Sequence, residues 1–184
     1  MNEVAKGKIL ISEPFLTDPS FSRSVVLITE HDKHGTIGYV LNQPTSVLLN
    51  DIIDGLPFSK KTVASGGPVE RNSLHYLHSY STIADTTEVQ PGLFWSGDFD
   101  EVCDGLIAGK WSLDQFVFFV GYSGWAPGQL SEELSQKAWL VGTLPTDKML
   151  NSTIDSNELW KHAIRDIGGK DALLANAPID PFLN

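Results

Sequence analysis

Ser24-Val25-Val26-Leu27-Ile28-Thr29, then Glu30-His31-Asp32-Lys33-His34-Gly35, then Thr36-Ile37-Gly38-Tyr39-Val40-Leu41 is the stretch that decides the fold. The first block is apolar and β-branched without alternation, as in a strand buried on both faces. The second is polar, and from His31 to Gly35 it reads as a turn. The third is apolar again, so the three together predict a β-hairpin with a Gly-containing loop.

Working outward, Lys8 to Ser12 reads as a short strand before the hairpin, and strands are expected at Thr62 to Ser65, Leu74 to Tyr80, Leu93 to Ser96 and Gln115 to Tyr122. A short helix is expected over Val47 to Ile53, with Thr45 or Ser46 as its N-cap and Gly55 and Pro57 closing it. After Asp98 the residues Phe99, Val102, Cys103, Leu106 and Ile107 share one face at helical spacing, with Asp98 as cap and Glu101 at the capping-box position. A second amphipathic helix is expected over Ser156 to Ile167, buried through Leu159, Trp160, Ala163, Ile164 and Ile167 and stopped at Gly168-Gly169. A third is expected between Pro127 and Gln136. Strands early and helices interspersed later predict α+β rather than a regular βαβ alternation.

The chain has 184 residues, which suits one domain spanning 1–184. Its formal net charge is -10, with three arginines, Arg23, Arg71 and Arg165. A nucleic-acid binder needs a basic stripe to neutralise phosphates, so that class of partner is disfavoured, as is an anionic membrane surface. The lone Cys103 excludes an internal disulfide and zinc sites built on paired cysteines. The apolar run Ile9-Leu10-Ile11 is too short for a signal peptide, and the longest run elsewhere, Phe116 to Val120, is far below a membrane span. A cytoplasmic location is therefore expected.

Several separated motifs occur in an order that resembles one bacterial family. They are Gly7 to Pro14, Asp18 to Val26, Glu30-His31, Gly35 to Pro44, Gly66-Gly67-Pro68-Val69, Leu74-His75, Gly121 to Leu130 and the helix around Trp160. Together they resemble the YqgE/AlgH-like proteins over nearly the whole chain, with departures at Ser123 and Ser131. The resemblance implies an α+β fold in which a bifurcated, partly barrel-like sheet is surrounded by helices. It implies little chemistry; some members carry the label of transcriptional regulator.

Candidate sites come from residue type. Glu30, His31, Asp32 and His34 are the densest group of potential acid-base or metal-binding side chains, against the plainer reading of a solvated hairpin tip. No metal site is expected, because three or four convergent ligands are needed and no second cluster is visible. His75 and His78, three apart on a strand, point to opposite faces. Gly66 and Gly67 offer either an anion-holding backbone concavity or a tight turn, and the turn is preferred. In Gly121 to Leu130, Gly124, Trp125 and Gln129 form either a ligand-binding loop or a strand-to-helix turn with Trp125 plugging the core; the structural account is favoured. Asn42, in the Leu41-Asn42-Gln43-Pro44 segment, joins the candidate ligand-binding set. Cys103 is rejected as a nucleophile, since burial and acidic neighbours raise a thiol's pKa. Glu132-Glu133 and Asp51/Asp54 read as solvated positions.

The leading expectation is a binding or regulatory protein without catalytic activity or cofactor, whose partner is a small molecule or a protein. The alternatives are an enzyme using Glu30 and His31, with His75, as acid-base groups, and a transcriptional regulator. The apolar tail Ile179-Asp180-Pro181-Phe182-Leu183 is expected to dock on its own domain or to join two copies of the chain.

Overall fold

The computed structural model describes residues 3–56, 59–150 and 155–178, so Pro57 and the tail from Ile179 onward lie outside the described residues. The predicted hairpin is present as β2 (Val25–Asp32) and β3 (Gly35–Val40), and β1 (Ile9–Ser12) flanks it. Residues 25–29 are fully buried, as their unbroken apolar run demands.

Ten strands form one mixed but mostly antiparallel sheet with several helices around it. The remaining strands are β4 (Pro44–Leu48), β5 (Thr62–Ser65), β6 (Val69–His78), β7 (Thr87–Gln90), β8 (Leu93–Trp95), β9 (Phe116–Trp125) and β10 (Trp139–Gly142). The path β10-β1-β2-β3-β9-β6-β8-β7 is open at both ends rather than closed, and β4 and β5 branch from it. The branch lies on β9: Phe116 to Val120 pair with β6, Phe119 and Val120 also meet β5 in parallel, and Ser123 to Trp125 pair with β3. Gly121 is the pivot, with φ +70. A Cβ there would stand 2.7 Å from the carbonyl oxygen of Gly67 and 2.8 Å from that of Val69, so only glycine fits the crossing.

Alternation on β9 divides the interior. Phe116 and Phe118 join Tyr76, Val102, Leu106 and Trp111 in one core, whereas Val117 and Phe119 join Leu27, Tyr39, Leu159 and Trp160 in the other. A third cluster, Leu10, Val26, Val40, Trp125, Leu130 and Trp139, lies under the short helix α2 (Gln129–Ser135).

Helix α1 (Phe99–Ile107) starts as expected, with the Asp98 carboxylate accepting from the Glu101 N–H at 2.9 Å. Glu101 does not complete the capping box; it accepts from the Ala84 N–H and pairs with Lys110. Phe99 and Ile107, placed on the buried face by spacing, are 42% and 47% exposed, as the first and last residues of α1. Helix α3 (Thr146–Leu150) carries no strong sequence signal, and α4 (Ser156–Ile167) matches the expected bounds.

The helix expected over Val47 to Ile53 is a misreading. Pro44–Leu48 is a strand, and only Leu49–Asp51 turns, as a single 3₁₀ turn. Thr45, expected to cap a helix, donates its hydroxyl to the Val63 carbonyl at 2.8 Å, and pairing with β5 outweighs the weak local helix preference. The third helix starts at Gln129, two residues after Pro127, because Gly128 at φ +82 still belongs to the turn. The Gly121 to Trp125 half of the expected loop is strand, held by β3 on one side.

Candidate functional site

The far end of the β2–β3 hairpin meets the end of β9, where Thr36 pairs with Trp125 and Ile37 with Gly124. The meeting leaves an open cavity of about 320 Å³ lined by Glu30, Asp32, His34, Thr36, Tyr122, Gly124 and Trp125 among others. Glu30 and Asp32 are two apart on β2 and both face it, while the intervening His31 is directed elsewhere, with Nδ1 2.7 Å from Thr36 Oγ1. Asp32 accepts from the His34 backbone N–H at 2.7 Å. The lining holds two carboxylates and neither lysine nor arginine. Gly124 is exposed on its floor, and a Cβ there would stand 3.3 Å from the Tyr122 ring.

Trp125 borders the cavity at the end of β9, but its ring, 5% exposed, lies on the opposite face of the strand from Tyr122, packed on Phe21 and Trp139. Its indole N–H donates to Glu133 Oε2 at 2.9 Å, and Trp139 donates to the same oxygen at 2.7 Å. Gln129 donates to Glu133 Oε1 at 2.9 Å and accepts from the Ala126 N–H at 3.0 Å. Glu133, read from sequence as a solvated position, instead collects three donors and ties α2 to β9 and β10. Gln129 spends its amide on this lock.

Behind Tyr122 runs a second polar chain. His75 Nε2 lies 2.8 Å from Ser73 Oγ and Nδ1 lies 3.1 Å from the Tyr39 hydroxyl. Ser73 donates to the Glu70 carbonyl at 2.7 Å, so its oxygen accepts from Nε2–H, leaving Nδ1 to accept from Tyr39. This tautomer satisfies every member of the chain. Burial pushes the His75 imidazole below its ordinary value, only partly offset by Glu70, and pushes the Tyr39 phenol up, so both are neutral. The His75 and Tyr122 rings meet edge-on at 5.9 Å. His78, on the opposite face of β6, is fully buried among Phe94 and Phe116, and lies 2.8 Å from the Ser96 carbonyl.

The other expected ligand-binding residues lie elsewhere. Asn42 is buried and clamps three chain segments: it accepts from the Val25 N–H and donates to the carbonyls of Arg23 and Ser156, all within 2.9 Å. Gly66 donates its N–H to the Val120 carbonyl and accepts from the Val40 N–H and the Ser123 hydroxyl, so its polar groups are engaged by the sheet. Gly67, at φ +152, packs on the Tyr122 backbone with no room for a Cβ.

The family model described as DUF179, AlgH-like matches residues 9–172. The chain belongs to the AlgH-like family. A UPF0301 protein of Cytophaga hutchinsonii is 37% identical over 183 residues, covering 98% of this chain and all of that protein. Another from Bacteroides thetaiotaomicron is 37% identical over 182 residues, covering 98% of this chain and 91% of that one. Among solved structures, AlgH from Pseudomonas aeruginosa matches at TM-score 0.74 and 27% identity, covering 97% of this chain and 98% of that one. A protein from Corynebacterium diphtheriae matches at TM-score 0.78 and 23% identity, covering 96% and 94%, and shares the fold.

In this AlgH-like chain, no group of three His, Cys, Asp or Glu is placed to hold a metal ion among the described residues, and no described helix is long and apolar enough to cross a membrane. Burial, and then the charges of Asp100 and Asp104, push the Cys103 thiol up, away from the thiolate a nucleophile needs. Tyr39 and Ser73 were not singled out from sequence; no short-range pattern links positions 39, 73 and 75. Tyr122 stood in the motif Gly121 to Leu130, but its cavity appears only when β9 reaches the hairpin.

Proposed function

We propose that the protein is a binding or regulatory protein rather than a catalyst, and that its ligand enters the hairpin cavity with a positively charged amine or guanidinium group. The observation that carries this reading is the gathering of Glu30, Asp32 and the half-buried Tyr122 around one open cavity, with neither lysine nor arginine in the lining. Carboxylates beside an aromatic ring favour a cation that is hydrogen-bonded and rests on the ring. The acid-base alternative has less support. Glu30 and His31 face different partners, and the tautomer of His75 offers Ser73 a donor rather than a base. A transcriptional role through direct DNA contact is disfavoured by the net charge of -10.

Isothermal titration with spermidine and arginine amide tests the proposal. Saturable binding is expected, weakened about tenfold or more in the double variant Glu30→Gln, Asp32→Asn. Binding of neither probe, or binding indifferent to the double variant, would reject it.

A further inference from the structure

A second cavity, of about 280 Å³, has the opposite character. It is lined by Arg23, Asn157, Lys161, Arg165 and the segment from Ala175 to Pro178, and among the described residues no carboxylate lines it. Two of the three arginines in a chain of net charge -10 therefore face one small concavity. Asn157, Lys161 and Arg165 recur every four residues along α4 and so share one face.

Arg23 is held in place with unusual firmness. Its backbone is left-handed, φ 47, a strained conformation for a residue with a side chain. The guanidinium lies 4.6 Å over the Trp160 ring, and Trp160 is fully buried and anchored through its N–H to the Ser12 carbonyl at 3.0 Å. Nη1 donates to Asn157 at 3.2 Å, and Nη2 donates to the carbonyls of Ala177 at 2.8 Å and Pro178 at 2.6 Å. Of the five N–H groups of a guanidinium, Nε–H and one on Nη1 are left. No carboxylate among the described residues pairs with Arg23, and burial lowers its pKa. Lys161 pairs with Glu158 at 2.8 Å, while the Arg165 side chain makes no hydrogen bond or ion pair among the described residues. Among the described residues the cavity is thus a pre-set arrangement of three cations with one counter-charge, at its edge.

We infer that this cavity binds a phosphate group, free or as the phosphomonoester of a small molecule. Donors that converge from three side chains on two chain segments suit a tetrahedral oxyanion, and a dianion neutralises charge that a single carboxylate leaves in excess. Pre-ordering of Arg23 by Trp160 and the two carbonyls lowers the entropy lost on binding.

The test is calorimetric titration of the full-length chain with inorganic phosphate and, separately, with glycerol 3-phosphate at low salt. The wild type is compared with Lys161→Gln, Arg165→Gln, neither of which holds the fold. Saturable binding is expected for at least one probe, weakened about tenfold or more in the double variant. Phosphate should also raise the melting temperature of the wild type and leave that of the double variant unmoved. Tighter binding of glycerol 3-phosphate assigns the site to phosphomonoesters, and equal or tighter inorganic phosphate to the free ion. Absence of saturable binding for both probes, or equal binding by the double variant, would overturn the inference. Circular dichroism of the double variant, expected to equal that of the wild type, separates lost binding from lost folding.

Discussion

Strand β2 carries opposite chemistry at its two ends. Just before its first residue, Arg23 joins Lys161 and Arg165 around one cavity; at its last residues, Glu30 and Asp32 line another. With about 3.3 Å per residue, the two lie roughly 25 Å apart along a strand whose middle is fully buried. At 0.15 M salt the Debye length is about 8 Å, so each cavity has its own local field. The difference is also one of construction. The basic cavity is framed by a helix packed on the main core through Trp160, and its leading cation is strapped by backbone carbonyls. The acidic cavity is framed by strand ends, and its carboxylates are exposed side chains on a hairpin. A small negative protein thus holds two separate cavities of opposite sign, because the strand between them keeps their charges from neutralising each other.

The strongest way to break this comparison is Trp160→Ala. Removing a fully buried indole together with its hydrogen bond should cost about 3–5 kcal/mol, read as a fall in the urea midpoint by circular dichroism. Under conditions where the variant stays folded, phosphate binding should be lost and spermidine binding kept. Equal loss of both would show that the cavities are coupled through the core. Glu133→Ala is the counterpart at the other end, leaving the N–H groups of Trp125 and Trp139 without their shared acceptor. It should cost about 1.5–3 kcal/mol and weaken spermidine binding while phosphate binding holds.

A change of pH sharpens the comparison in another way. His75 and His78 both have imidazole pKa values lowered by burial, so the unfolded chain binds more protons than the folded one below the ordinary imidazole value. Their contribution to stability is complete above about pH 6.5 and declines as the pH falls below it toward the lowered folded values. Urea unfolding at pH 7.5 and 5.5 should show the decline, and His75→Gln, His78→Gln should flatten it. A stability that rises on acidification would contradict the neutral hydrogen-bonded state assigned to both. The smallest effect is expected from Glu30→Gln, an exposed position: stability should stay within about 0.5 kcal/mol while affinity for arginine amide falls. A large loss of stability would mean that Glu30 holds the hairpin and is not simply part of a binding wall.

Much of the architecture was legible in the chain. Unbroken apolar runs marked β2 and β9, and helical spacing with an acidic cap marked α1 and α4. The elements missed were short or exposed. Residues 44–48 look weakly helical by themselves, and β7, β10 and α3 are four or five residues each, too brief for periodicity to show. The site was half visible: Glu30, Asp32, Gly124 and Trp125 stood in marked segments, while the Tyr39–His75–Ser73 chain and the cluster of Arg23, Lys161 and Arg165 did not.

The sequence by itself determined local order, the acidic balance and the family, because these follow from side-chain spacing, charge count and motif order. Only the tertiary structure decided which charges share a cavity and which histidines are neutral. Arg23 and Arg165 are 142 positions apart, and Tyr39 and His75 are 36. Contacts over such separations arise from sheet pairing and core packing, which bring together residues whose local sequence holds no record of one another.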